Sequence, residues 1–167
     1  ASMEIRQSRV AHRAAASHLA GSLGAPGAGA DLDADRIVAA LAAETVPGVT
    51  VGEVLATIRV AAEIQRTHGA ASLGRYVISG FEGIEDLHDL IALFAWAEDP
   101  RIGSGLTSGA AAGSPNVDIV PLLESAHVLE EAGALVDEVM ATPSLRAHVE
   151  ARGGRLEVML GYSDTNK

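Results

Sequence analysis

The chain has 167 residues, 48% hydrophobic and 20% charged, with 22 acidic against 12 basic side chains and a formal net charge of −10. That length and apolar share suit one domain with a real core, and the acidic excess repels nucleic acid and anionic membrane, so an anionic ligand needs a local cationic pocket. The absence of cysteine excludes disulfides, thiol catalysis and cysteine-ligated zinc; with no apolar run near the roughly 18 residues of a membrane span and no basic-then-apolar leader, the expected compartment is the cytoplasm.

Residues 3–7 make a strand candidate, and the alanine-rich segment 9–20 favours helix. A Gly/Ala/Pro stretch at about 21–32 interrupts the pattern. It lacks Gly-Lys-Ser/Thr and a preceding strand, so it reads as a flexible linker rather than a phosphate loop. Residues 33–44 read as a short helix with Ile37, Val38 and Leu41 inward, after which Pro47-Gly48 turns the chain. Thr50 with Glu53 is a capping box, and Val54, Leu55, Ile58, Ala61 and Ala62 mark one face of a helix running to about His68. The β-branched and aromatic run Arg75-Tyr76-Val77-Ile78-Ser79 is a strand, followed by a helix with Ile84, Leu87, Leu90, Ile91 and Phe94 as its buried stripe.

A second linker is expected at about 100–116. The third strand, 117–123, contains Pro121, which needs an edge or strand-end position. Residues 125–141 read as one helix, Thr142-Pro143 starts a shorter one, and Arg152-Gly153-Gly154 ends it before a fourth strand at 156–161. Strand-helix alternation at these spacings predicts an α/β fold with four parallel strands and right-handed crossovers, a single segment over 1–167 equal to half of a (β/α)8 barrel. Such a half leaves two unpaired strand edges. The sequence also opens as if inside a strand and stops within a motif, so both ends read as cut.

In parallel α/β architectures the residues just past the carboxyl ends of strands face the ligand. That rule places Arg6, Ser79, Glu124, Asp164 and Lys167 at one end of the sheet. Glu124 and Asp164 suffice as protein ligands for magnesium, which takes one or two carboxylates and completes its octahedron with water and substrate oxygens. Arg6 offers a planar fork for phosphate or carboxylate, and Lys167 a compact charge for a second anion or an oxyanion. Together they suit a small substrate bearing phosphate and carboxylate groups, with charge developing on an enolate oxygen. Each residue also has an ordinary structural reading. Asp164 could cap a helix or close an Asx-turn, Glu124 could favour a helix start, Arg6 could sit in a rim salt bridge, and Lys167 could be solvated. The six histidines sit mainly on helical segments and read as surface or satisfied groups, His12 being the least settled.

Four blocks in order, Ala1-Ser2-Met3-Glu4-Ile5-Arg6-Gln7, Tyr76-Val77-Ile78-Ser79, Val120-Pro121-Leu122-Leu123-Glu124-Ser125 and the run from Arg152 through Gly161-Tyr162-Ser163-Asp164-Thr165-Asn166-Lys167, resemble phosphoenolpyruvate carboxylase. The resemblance spans the whole sequence but a middle slice of that family's longer, mostly helical chain. It implies carboxylation of phosphoenolpyruvate with bicarbonate to oxaloacetate and phosphate, through carboxyphosphate and the pyruvate enolate, with Mg²⁺ or Mn²⁺, in a homotetramer. By motif position Glu124 and Asp164 correspond to the metal ligands, Arg6 to a phosphate-binding arginine, and Lys167 to the lysine serving bicarbonate and the reacting carboxyl group. Arg9 stands where the family usually has serine, Gly80-Phe81 replaces a methionine-led continuation, and Leu123 and Ser125 replace the commoner Phe and Thr. The family's catalytic histidine, in an upstream Thr-Ala-His-Pro motif, and its downstream Gly/Arg-rich loop have no counterpart here, so the 167 residues alone are expected to be inactive. The alternatives are a non-catalytic or degenerate paralogue with an assembly role, and another magnesium-dependent barrel lyase or enolate enzyme.

Overall fold

The computed structural model describes residues 3–27, 33–99 and 116–161. Its elements run β1 (Met3–Ser8), α1 (Arg9–Leu23), α2 (Ala34–Ala42), β2 (Glu44–Val46), β3 (Val49–Thr50), α3 (Val51–His68), a one-turn 3-10 helix (Ala70–Ser72), β4 (Leu73–Ser79), α4 (Ile84–Ala97), β5 (Asp118–Leu123), α5 (Ala126–Glu130), α6 (Ala132–Ala141), α7 (Pro143–Ala151) and β6 (Met159–Leu160). Local chemistry accounts for the main boundaries. Ser8 caps α1 by accepting from the Val10 N–H, and Gly24, at φ 79°, takes a positive-φ conformation that glycine adopts freely and that ends it. At α3 the reciprocal Thr50/Glu53 capping box is formed as expected.

Four strands form one sheet in the order β1-β4-β5-β6, and each neighbouring pair is parallel. The order follows the chain without reversal. With right-handed crossovers, winding in one direction sends successive helices to one face, whereas a doubly wound sheet reverses its order and covers both. Side-chain alternation agrees. Tyr76, Ile78, Ile119 and Leu123 pack with buried side chains of α1, α3, α4, α6 and α7 in one large core, joined at its margin by Ile5. Val77, Val120 and Leu122, with Met159 beside them, form a separate small cluster that contains no helical residue. The sheet therefore has a helix-covered face and an opposite face, and Arg6, between Ile5 and Gln7, belongs to the latter.

Several expectations need correction. Gly21 to Leu23 are helical, so the first interruption starts at Gly24 rather than at 21, and 28–32 lie outside the described residues, as do 100–115 of the second expected linker. The helix expected to reach Glu44 stops at Ala42, because Glu44–Val46 and Val49–Thr50 pair antiparallel around Pro47-Gly48. Gly48 at φ 78° makes that turn. The single helix expected over 125–141 breaks at Glu131 into α5 and α6. Pro121 sits in β5, a strand interior to the sheet order, opposite Ile78. It is tolerated there because β6 begins pairing only at Leu122, so β5 is an edge at Pro121 itself.

Candidate active site at the carboxyl ends of the strands

Ser8 lies opposite Ser79, Ile78 opposite Pro121, and Leu123 opposite Leu160. Parallel pairing therefore delivers the next residues along, Arg9, Gly80, Glu124 and Gly161, to one end of the sheet. Glu124 is half-buried there, and its Oε1 accepts the Gly80 N–H at 2.7 Å. Gly80 has φ 67°, a left-handed conformation that glycine adopts without steric cost and that turns its N–H out of the ladder. Glu124 accepts no other hydrogen bond among the described residues, which leaves Oε2 as an uncommitted oxygen donor. It borders an open cleft of about 200 Å³ lined by Gly80, Phe81, Glu82, Glu124 and Ser125.

The two sides of the cleft are held by different devices. Ser125 turns inward to cap α5, its Oγ accepting from the Val128 N–H at 3.3 Å. The loop after β4 is tied down by Asp86, whose Oδ2 accepts the Glu82 N–H at 2.8 Å and whose Oδ1 accepts from Arg13 at 3.1 Å. Asp86 is buried, and Arg13 also pairs with Asp89. On the far side Gly161 donates its N–H to the Leu123 carbonyl at 3.0 Å. A β-carbon at Gly161 would lie 2.8 Å from the Glu124 Cβ, so this position admits glycine alone without a shift.

Arg6 is exposed, and its Nη2 donates to the Met159 Sδ at 3.2 Å. A thioether is a weak acceptor, and Arg6 makes no other polar contact among the described residues. The guanidinium is therefore available to a stronger anion. Its contact reaches from β1 to β6, which in a flat sheet with spacings near 4.8 Å would stand about 14 Å apart. The two side chains bridge the intervening strands over the face formed by Val77, Val120 and Leu122.

Behind Arg6, Gln7 anchors the strand from the helix side. Tyr76 Oη donates to Gln7 Oε1 at 2.6 Å, and His12 Nε2 lies 3.1 Å from the same oxygen and 3.2 Å from Tyr76 Oη. His12 is fully buried, and its Nδ1 has no partner. Burial drives its pKa down to about 4, against an opposing pull from the Asp86 charge, so the imidazole is neutral near pH 7. Burial likewise pushes the Tyr76 phenol up. The reading of the histidines as surface or satisfied groups thus fails for His12, which is interior with one nitrogen unpaired. Ser79, expected at the ligand end, instead donates its hydroxyl to the Gln7 carbonyl at 3.1 Å and fastens β4 to β1.

Of the four site residues expected from sequence, Arg6 and Glu124 emerge from strands of the same parallel sheet, at its carboxyl half. Asp164 and Lys167 lie outside the described residues. Among the described residues no group of three metal-capable side chains gathers. The sequence reading noted Gly80 only as a departure from the family pattern and gave no supporting role to Gly161 or Asp86. A glycine closing a strand pattern signals close backbone approach, which would have singled out Gly161; nothing local betrays that Asp86 holds the preceding loop. No helix among the described residues is long and apolar enough to cross a membrane.

A family model described as phosphoenolpyruvate carboxylase matches residues 1–167. A phosphoenolpyruvate carboxylase of Rhodopseudomonas palustris (strain HaA2) is 32% identical over all of this chain and 18% of its own length. That of Ralstonia nicotianae is 33% identical over all of this chain and 18% of its length, and that of Azorhizobium caulinodans is 39% identical over 68% of this chain and 11% of its length. The chain thus spans less than a fifth of the curated relatives it matches.

Proposed function

The chain belongs to the phosphoenolpyruvate carboxylase family, and from that premise we propose that its protein carboxylates phosphoenolpyruvate with bicarbonate, releasing oxaloacetate and phosphate. The observation that carries this reading is the coincidence, on one parallel sheet, of an Arg6 guanidinium satisfied only by a thioether and a Glu124 carboxylate with one oxygen uncommitted among the described residues. The parallel, singly wound sheet supports reading it as an arc of a β/α barrel.

The donor chemistry at Glu124 suits a hard divalent cation, since one oxygen is fixed by a backbone N–H and the other opens on a cleft with room for water. Glu124, with Asp164 as second carboxylate, would hold Mg²⁺ or Mn²⁺. Such an ion supplies Lewis-acid stabilisation of negative charge developing on a substrate oxygen. Gly80 and Gly161 fix the Glu124 side chain, one by hydrogen bond and one by close packing. Arg6 exchanges Met159 for the substrate phosphate, whose oxygens match its fork. Lys167 serves the bicarbonate and the carboxyl group that is formed. In this reading the catalytic histidine and the Gly/Arg-rich loop are supplied by parts of the enzyme beyond these 167 residues, which alone do not turn over, and the working form is a cytoplasmic homotetramer.

The test is made on the full-length enzyme. Asp164→Asn and Glu124→Gln should each weaken Mn²⁺ binding, read by titration, and lower turnover by about 100-fold or more with the fold intact. Near-normal Mn²⁺ affinity and activity in both would defeat the metal assignment. Oxaloacetate should form only when bicarbonate is supplied; an enolate product without it would indicate another barrel enzyme, and no turnover at all a non-catalytic relative.

A further inference from the structure

We infer that Arg9 is a second anion-binding cation at the mouth of the cleft, held in reserve by Glu82 and transferred to the substrate's anionic group when that group arrives. The inference deepens the functional reading above and rests on it for the location of the substrate. Arg9 follows β1 directly and lies level with Gly80, whose N–H holds Glu124. Its side chain lies against Gly80: a β-carbon there would stand 3.9 Å from Arg9 Cγ and 4.0 Å from Nε. One residue therefore separates this guanidinium from the proposed metal ligand.

Arg9 Nη2 pairs with Glu82 Oε1 at 2.5 Å, and Glu82 itself lines the cleft. The Glu82 side chain is 65% exposed and that of Arg9 24%, so the pair is a solvent-screened one of the kind that contributes little and exchanges readily. A phosphate dianion forms shorter, charge-assisted and bidentate bonds with a guanidinium that one exposed carboxylate oxygen does not match. Exchange requires only a side-chain rotation, because the Glu82 backbone is fastened by Asp86. In a chain of net charge −10, an internal counter-ion also keeps the mouth closed to weak anions while leaving a cation in place for a strong one.

The experiment titrates the full-length protein with phosphoenolpyruvate and with inorganic phosphate by calorimetry at fixed Mg²⁺, comparing wild type with Arg9→Ser, Arg9→Lys and Glu82→Gln. Arg9→Ser should weaken both ligands by about tenfold and raise KM more than it lowers kcat, with Arg9→Lys in between. Glu82→Gln, which removes the competitor, should tighten both ligands several-fold. A merely structural ion pair would be broken by either change, so Arg9→Ser and Glu82→Gln would shift affinity in the same direction. That result, or affinities equal to wild type in both variants, overturns the inference. Opposite shifts in a protein that forms no oxaloacetate would sink the functional reading and leave this inference standing.

Discussion

At Gly161 the space of a single hydrogen atom governs where a carboxylate stands. An added methyl would meet the Glu124 Cβ at 2.8 Å and its Cα at 3.3 Å, contacts that real side chains do not make. Gly161→Ala should therefore push Glu124 away from Gly80, cost about 1–3 kcal/mol as overpacking does, and weaken Mn²⁺ affinity about tenfold, within the range for disturbed supporting groups. Unchanged Mn²⁺ titration would show that Glu124 tolerates the shift. Glycine at the end of a strand could have been read as a close-approach position, but its neighbour could not, since Glu124 lies 37 residues earlier in the chain. Glu124, at the end of Val120-Pro121-Leu122-Leu123, was legible as a strand-end position for the converse reason, whereas Arg6 lies inside β1 with Glu4 before it. A charged residue closing an apolar run announces itself without knowledge of what it faces.

Element by element, the agreement follows how local the deciding physics is. The α3 capping box needs only Thr50 and Glu53, three residues apart, and forms as read. The β2–β3 hairpin, though held by the local bonds Thr45 to Val49 and Gly48 to Glu44, is built from strands of three and two residues, too short to show a period, and was missed, as was the break between α5 and α6. Placement of β6 is non-local. Asp118, at the start of β5, accepts from Arg152 Nε at 2.9 Å and Arg155 Nη2 at 3.1 Å, while Arg75 pairs with Glu157 at 2.6 Å. Together these clamp the connection from α7 to β6. Burial pushes the Asp118 carboxyl up, but the two guanidiniums more than offset it and hold its pKa below the usual 3.8. Its stabilisation is thus present above that value and is lost as pH falls through the lower, folded one. Asp118→Asn should cost about 1–3 kcal/mol, the range for a buried polar group deprived of its partner. It should also accelerate hydrogen exchange at the Gly161 amide, whose bond to Leu123 depends on β6 staying in register. Wild-type exchange there would show that β6 is held by other means.

For the whole molecule, the buried His12 couples stability to pH. Its folded pKa of about 4 lies below the ordinary 6.5, so the unfolded chain takes up a proton between these values while the native state does not. Stability from this group is complete above pH 6.5 and declines by about 3 kcal/mol as pH falls to 4. In denaturant titrations across that window the full-length protein should lose more stability than a His12→Asn variant does; parallel losses would place the proton elsewhere. Apolar runs, helical stripes and caps lie in the sequence, so it determined by itself the four parallel strands and most helices, and its four motif blocks carried the family. Only the tertiary structure decided that Arg6 shares a sheet face with the buried Val77, Val120 and Leu122, that a backbone N–H from Gly80 holds Glu124, that His12 is buried, and that Arg9 is tied to Glu82. Each of these depends on distances between residues that no local pattern encodes, because burial and close approach are properties of the packed chain.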